Sequence, residues 1–105
     1  MPGRHMKNYY QNRRLDRRIP LGSNAVIRLD GGTEIAANCV ELGVGGMTLH
    51  AAYVPGEGEQ FEVVVASPEG RLTLPPLVVK VRVRRCNALE GGRYEIGVAT
   101  LEVVG

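Results

Sequence analysis

The chain has 105 residues, of which 44% are hydrophobic, and a formal net charge of +2. That length allows one domain with a modest core, and that apolar share excludes a disordered chain. No apolar run is long enough to cross a bilayer as a helix or to form the centre of a signal peptide, so a cytoplasmic protein without membrane insertion is expected.

The charge is unevenly placed. Residues 1–18 hold six Arg or Lys against one Asp, which is +5, and residues 19–105 hold seven basic groups against ten acidic ones, which is −3. A basic arm on an acidic body suits an anionic ligand, and equally a solubilising tail. Met1, Pro2, Gly3, Arg4, His5 and Met6 read as a cloning remnant ahead of a second start, which strips meaning from Arg4 and His5.

In chain order, a short helix is expected near residues 9–15. Pro20 and Gly22 then divide an arm, 1–22, from a body, 23–105. The body reads as strands. Residues 25–29 are apolar and β-branched, Asp30, Gly31 and Gly32 make a turn, and 33–42 return. Gly43, Gly45 and Gly46 turn the chain into a short strand over 47–50, and residues 55–58 break it again. Further strands are expected over 61–66, 71–74 and 77–86. Over the last of these Val79, Val81 and Val83 alternate with Lys80, Arg82 and Arg84, which puts valines and cations on opposite faces. A loop over 87–92 precedes a closing strand over 93–101. Six or seven short strands at this spacing favour an all-β barrel or sandwich.

Enzyme chemistry is not expected. His50 sits mid-strand, and no His, Cys or carboxylate cluster has metal-ligand spacing. Glu57, Glu59 and Glu62 read as a solvated surface. Cys39 and Cys86, in a chain with no export signal, read as reduced core residues rather than a disulfide. No metal or cofactor is implied.

Two stretches stand apart. Arg13, Arg14, Arg17 and Arg18 fall within six positions. The guanidinium fork pairs with phosphate and with the O6 and N7 edge of guanine, and its plane stacks on a purine. A guanine nucleotide uses all three abilities. The second stretch runs from Val40 to Leu49 and carries Gly43, Gly45 and Gly46, where open backbone N–H groups can approach an anion. Alone, that stretch is a glycine-rich hairpin.

Taken together, in this order and spacing, the two stretches resemble the PilZ family of cyclic di-GMP receptors. That family pairs RxxxR in an N-terminal segment with (D/N)xSxxG on an early barrel strand. Arg14, Leu15, Asp16, Arg17 and Arg18 match the first motif, followed by Ile19 and Pro20; the frame from Arg13 to Arg17 also satisfies it. The second motif falls on residues 41–46. Glu41 stands where Asp or Asn is expected, Gly43 stands where Ser is expected, and Gly46 matches. The strand over 77–84 is similar to the family's valine-rich basic strand, and Tyr94, Glu95, Ile96, Gly97 and Val98 to its closing strand, with Thr100 in place of a common Phe.

The resemblance covers about residues 13–101. It implies a six- to seven-stranded antiparallel PilZ-type β-barrel with a flexible N-terminal arm. It further implies cyclic di-GMP held by Arg14 and Arg18, with Glu41, Gly43 and Gly46 on the barrel. Arg13, ahead of the motif, goes in that family with two intercalated ligands. The implied output is a conformational change read by a downstream protein or an attached domain. A PilZ domain that has lost its ligand and acts as an adaptor is the alternative, motivated by Glu41 and Gly43. A nucleic-acid binder using the arm and the face of Lys80, Arg82 and Arg84 is less favoured, because barrels that bind single strands offer stacking aromatics. This chain has no Trp and one Phe.

Overall fold

Val, Ile and Ala alternating with polar residues form strands because each strand can bury one face and wet the other. The computed structural model describes residues 18–66 and 76–105, with backbone alone over 18–21. Six strands follow in order: β1 (Arg18–Arg28), β2 (Glu34–Gly43), β3 (Gly46–Ala51), β4 (Gln60–Val65), β5 (Leu77–Ala88) and β6 (Tyr94–Val103). One turn of 3-10 helix, Glu90–Gly92, links β5 to β6. The helix expected near 9–15 and the strand expected at 71–74 lie outside the described residues.

The strands close into an antiparallel barrel in the order β1-β2-β3-β6-β5-β4, with β4 pairing back onto β1 from Ala25↔Val65 to Arg28↔Glu62. Closure leaves no free sheet edge. Inside lie Ile27, Cys39, Met47, Leu49, Val63, Val79, Val81 and Ile96, all fully buried, with Phe61 as the one aromatic at the centre. A six-stranded barrel is narrow enough for Val, Ile, Leu and Met to fill it. Ala25, Ala37 and Ala51 complete the lining. The alternation expected on β5 is present: Val79, Val81 and Val83 are buried, and Lys80, Arg82 and Arg84 are exposed.

One boundary differs from the sequence reading. The first strand begins at Arg18 rather than at 25, so residues 18–22 of the expected arm belong to the barrel wall. Pro20 and Gly22 do not end the strand. The register slips by one residue between Pro20 and Ser23, and Gly22 takes a left-handed φ of 64°. A bulge absorbs the missing proline N–H without breaking the pairing on either side.

Three further slips shape the outer surface. One falls between Cys39 and Glu41 opposite Leu49 and Thr48, and two fall between β5 and β6, at Lys80/Val81 and Val83/Arg85. Each inserts one residue and so reverses which side chains face out beyond it.

Candidate functional site

The slip between Cys39 and Glu41 decides the barrel side of the site. Ala37 and Cys39 point inward, so strict alternation would drive Glu41 and Gly43 into the core. The extra residue, Val40, resets the phase. Glu41 then pairs with Thr48, and Leu42 pairs with Met47 against the core. The thiol of Cys39 donates to the Glu41 carbonyl at 3.4 Å, and so helps satisfy backbone next to the bulge. Cys39 is therefore a buried structural residue, as its sequence context implies.

Glu41 is exposed, and its Oε1 accepts from the Thr48 hydroxyl at 3.4 Å. Thr48 faces outward yet is only 2% exposed. Gly43 closes β2, and Val44 at the tip of the turn is 86% exposed. Thr100 N–H donates to the Gly45 carbonyl at 2.9 Å and ties the turn to β6. Gly46 is buried where β3 meets β6. A Cβ there would collide with the backbone carbonyl of Val98, which cannot move aside. The close approach of two strands thus explains this glycine whether or not a ligand binds.

The arm reaches this surface through β1. Arg18 pairs with Gly43, Ile19 with Leu42 and Pro20 with Glu41. The last arginine of the RxxxR stretch therefore sits beside the altered second motif at one strand spacing, about 5 Å. Arg13 and Arg14 lie outside the described residues.

Beyond Thr48 the outer wall carries a polar chain that spacing alone does not reveal. Glu95 receives His50 Nε2 on Oε1 and Arg85 Nη1 on Oε2, each at 3.1 Å. Facing a carboxylate, which can only accept, His50 Nε2 is the protonated nitrogen. Hydrogen bonds from His50 and then Arg85 hold the Glu95 carboxyl below the usual carboxylate range. Arg93 donates to Asn38 Oδ1 and to the His50 carbonyl, both at 3.1 Å. Asn38 in turn donates to Asn24 at 3.3 Å. His50 is thus a member of a wall network. Among the described residues no group of three or more His, Cys, Asp or Glu is placed to hold a metal ion.

Of the three glutamates read as solvated surface, Glu59 has a defined structural part. Its carboxylate takes the Tyr53 hydroxyl at 2.8 and 2.9 Å and the Gly56 N–H at 2.8 Å, which pins the β3–β4 loop. Burial first, and then this bond, push the Tyr53 phenol up. Glu62 stands 3.6 Å from Arg28.

A cleft of about 440 Å³ lies at the far end of β1, between Arg28, Asp30, Gly32, Phe61, Glu62 and Lys80. It touches none of the motif residues. On the barrel wall Glu41 is exposed, Gly43 half-buried and Gly46 buried.

The barrel has a PilZ-type fold. Among solved structures it is similar to the Bacillus subtilis inhibitor of motility, MotI/DgrA, a PilZ-domain protein, with a TM-score of 0.68 and 18% identity. The match covers 83% of this chain and 42% of that one, so the chain spans less than half of that protein's length. At this identity the likeness concerns the fold. No protein-family model and no curated protein matches the sequence. No helix among the described residues is long and apolar enough to cross a membrane.

Proposed function

We propose that the chain is a receptor domain for cyclic di-GMP, which it holds between Arg13, Arg14 and Arg18 of the arm and Glu41, Gly43 and Gly46 of the barrel wall. The backbone pairing of Arg18 with Gly43 carries this reading. It sets the end of the first motif within one strand spacing of the second, although the two are remote in sequence. Cyclic di-GMP offers two phosphates and two guanines, and arginine recognises both.

The altered second motif weakens the site without removing it. Gly43 supplies no hydroxyl, and a lost neutral hydrogen bond costs about 0.5–1.5 kcal/mol, or up to about tenfold in affinity. Binding draws the arm across the wall and changes the surface that a downstream protein, or a domain attached to this one, reads. The domain works in the cytoplasm, without catalysis of its own. Arg13 supports a second, intercalated ligand, so the expected stoichiometry is two per chain.

Calorimetric titration with cyclic di-GMP tests the reading. The wild type is expected to bind, and an Arg14→Ala/Arg18→Ala variant to lose at least tenfold in affinity, as two charge-assisted contacts go. Absence of heat with the wild type would overturn it. That outcome favours the second reading, an adaptor without nucleotide binding, for which Glu41 is already bonded to Thr48 and Gly43 has no hydroxyl to offer. Binding indifferent to nucleotide identity and steeply salt-dependent would instead indicate nucleic acid.

A further inference from the structure

The paired strands β4 and β5 divide their outer face by chemistry. Phe61, Val63 and Val65 of β4 and Val79, Val81 and Val83 of β5 are buried, so the residues between them face out. On β4 these are Gln60, Glu62 and Val64, and on β5 they are Val78, Lys80 and Arg82. The register sets them side by side: Gln60 with Arg82, Glu62 with Lys80 and Val64 with Val78. One strand therefore carries an amide and a carboxylate, the other carries two cations, and each ends in a valine.

These groups are little used within the chain. Among the described residues Lys80 and Arg82 form no salt bridge. Glu62 stands 3.6 Å from Arg28, with its side chain 39% exposed. The valines lengthen into a band across four strands. Val26 of β1 pairs with Val64, and Val104, 51% exposed, donates its N–H to the Val78 carbonyl at 2.7 Å. A lone valine on an outer strand is ordinary, whereas neighbours in line leave a continuous apolar strip in water.

We infer that this face is a contact between two copies of the chain, related by a two-fold axis running along the strands between β4 and β5. Such an axis lays β4 of each protomer over β5 of its partner and keeps every residue at its own height. Glu62 then meets the partner's Lys80, Gln60 the partner's Arg82, and Val64 the partner's Val78, each contact made twice. An axis across the strands would instead set β4 on β4 and Glu62 against its own copy. A partner of one charge sign would be drawn to one strand and repelled by the other, so a second copy fits better than a nucleic acid. The closed barrel meets its copy by a face, since closure leaves no edge to pair. That face is convex and confines the contact to two strands. The buried area therefore falls short of the roughly 800 Å² per partner of a standard interface, and the dimer is weak.

Sedimentation equilibrium without nucleotide tests the contact independently of the receptor reading. The average mass of the wild type is expected to rise from one chain towards two as its concentration approaches about 1 mM. Glu62→Lys and Lys80→Glu each set like charges across the axis, and each is expected to weaken association about tenfold or more. Mixed in equal amounts, the two variants are expected to dimerise again, because every charged contact in the mixed pair is then between opposite signs. Val64→Glu leaves the charged pairs alone and removes the apolar one. It is expected to weaken association as much, and it keeps the test decisive should a charge reversal fold poorly. A wild type that stays monomeric throughout overturns the inference. So does a dimer indifferent to all three substitutions, or a mixture of the two folded charge variants that fails to associate.

Discussion

At the scale of single residues, two glycines of the outer wall have different reasons to be glycine. Gly46 faces the Val98 backbone carbonyl, whereas Gly97 faces only the flexible side chain of Arg85. Gly46→Ala is therefore expected to destabilise the fold by about 1–3 kcal/mol, the cost of overpacking against atoms that cannot yield. A urea midpoint equal to that of the wild type would refute the close approach. Gly97→Ala is expected to leave the midpoint nearly unchanged. Glu95 carries a pH dependence of known sign. Its folded carboxyl sits below the ordinary value of 4.5 because His50 and Arg85 bond its charged form. The stability it adds is present above that value and is lost as the pH falls through the lowered one. The melting temperatures of wild type and Glu95→Gln should thus differ at pH 7 and converge towards pH 3. A constant difference across that range would show that the bonds to the charged carboxylate contribute nothing.

Strands are the scale at which the candidate surface is made. β2 alternates cleanly over Ala37 and Cys39, and then Val40 interrupts it. Paired without the slip, the same residues would send the carboxylate of Glu41 into a core of Met47, Leu49 and Ile96 and leave Leu42 facing water. Deletion of Val40 makes Glu41 the direct neighbour of inward-facing Cys39 and keeps Glu41 outward and Leu42 inward, so a cooperative unfolding transition is expected to survive it. Loss of the cooperative transition in the deletion variant would show that Val40 does more than set the phase. The sequence carried a signal for this bulge that simple strand assignment passes over. A charged residue falls in phase with buried neighbours, and a shift of one resolves the conflict. The slip at Arg84 was harder to find. Arg84 and Arg85 are both cations, so either phase reads as a wet face, and the strand pattern over 79–84 gave Arg85 no distinction. The same ambiguity hid the union of His50, Glu95 and Arg85, which belong to three strands.

Over the whole molecule, the six strands close into a barrel, and Arg18 opens β1. On the proposed reading, a ligand bridging arm and wall would stabilise the folded state by mass action, by about 2.7 kcal/mol at a hundredfold excess over Kd. For a domain of this size that corresponds to a rise of roughly 10 °C in melting temperature. The rise is expected with cyclic di-GMP and absent in the Arg14→Ala/Arg18→Ala variant. An equal rise in both would place the ligand elsewhere, with the cleft beside Arg28 and Lys80 the first place to look.

Taken by itself, the sequence determined the all-β class, the valine-lined interior and the turns at 30–32 and 43–46. These depend on the period of two and on local turn chemistry, which neighbouring residues carry. It also singled out the arginine stretch and the glycine-rich motif, and their order along the chain. Tertiary structure decided that Arg18 lies opposite Gly43, because only the β1–β2 register sets one against the other. It decided that Pro20 and Gly22 bend a strand instead of ending one, since pairing on both sides outweighs a local break. Gly46 and Gly97 acquired their separate meanings in the same way, from what lies opposite each of them across β6 and β5. Cross-strand neighbours are set by register and closure, and no stretch of sequence contains them.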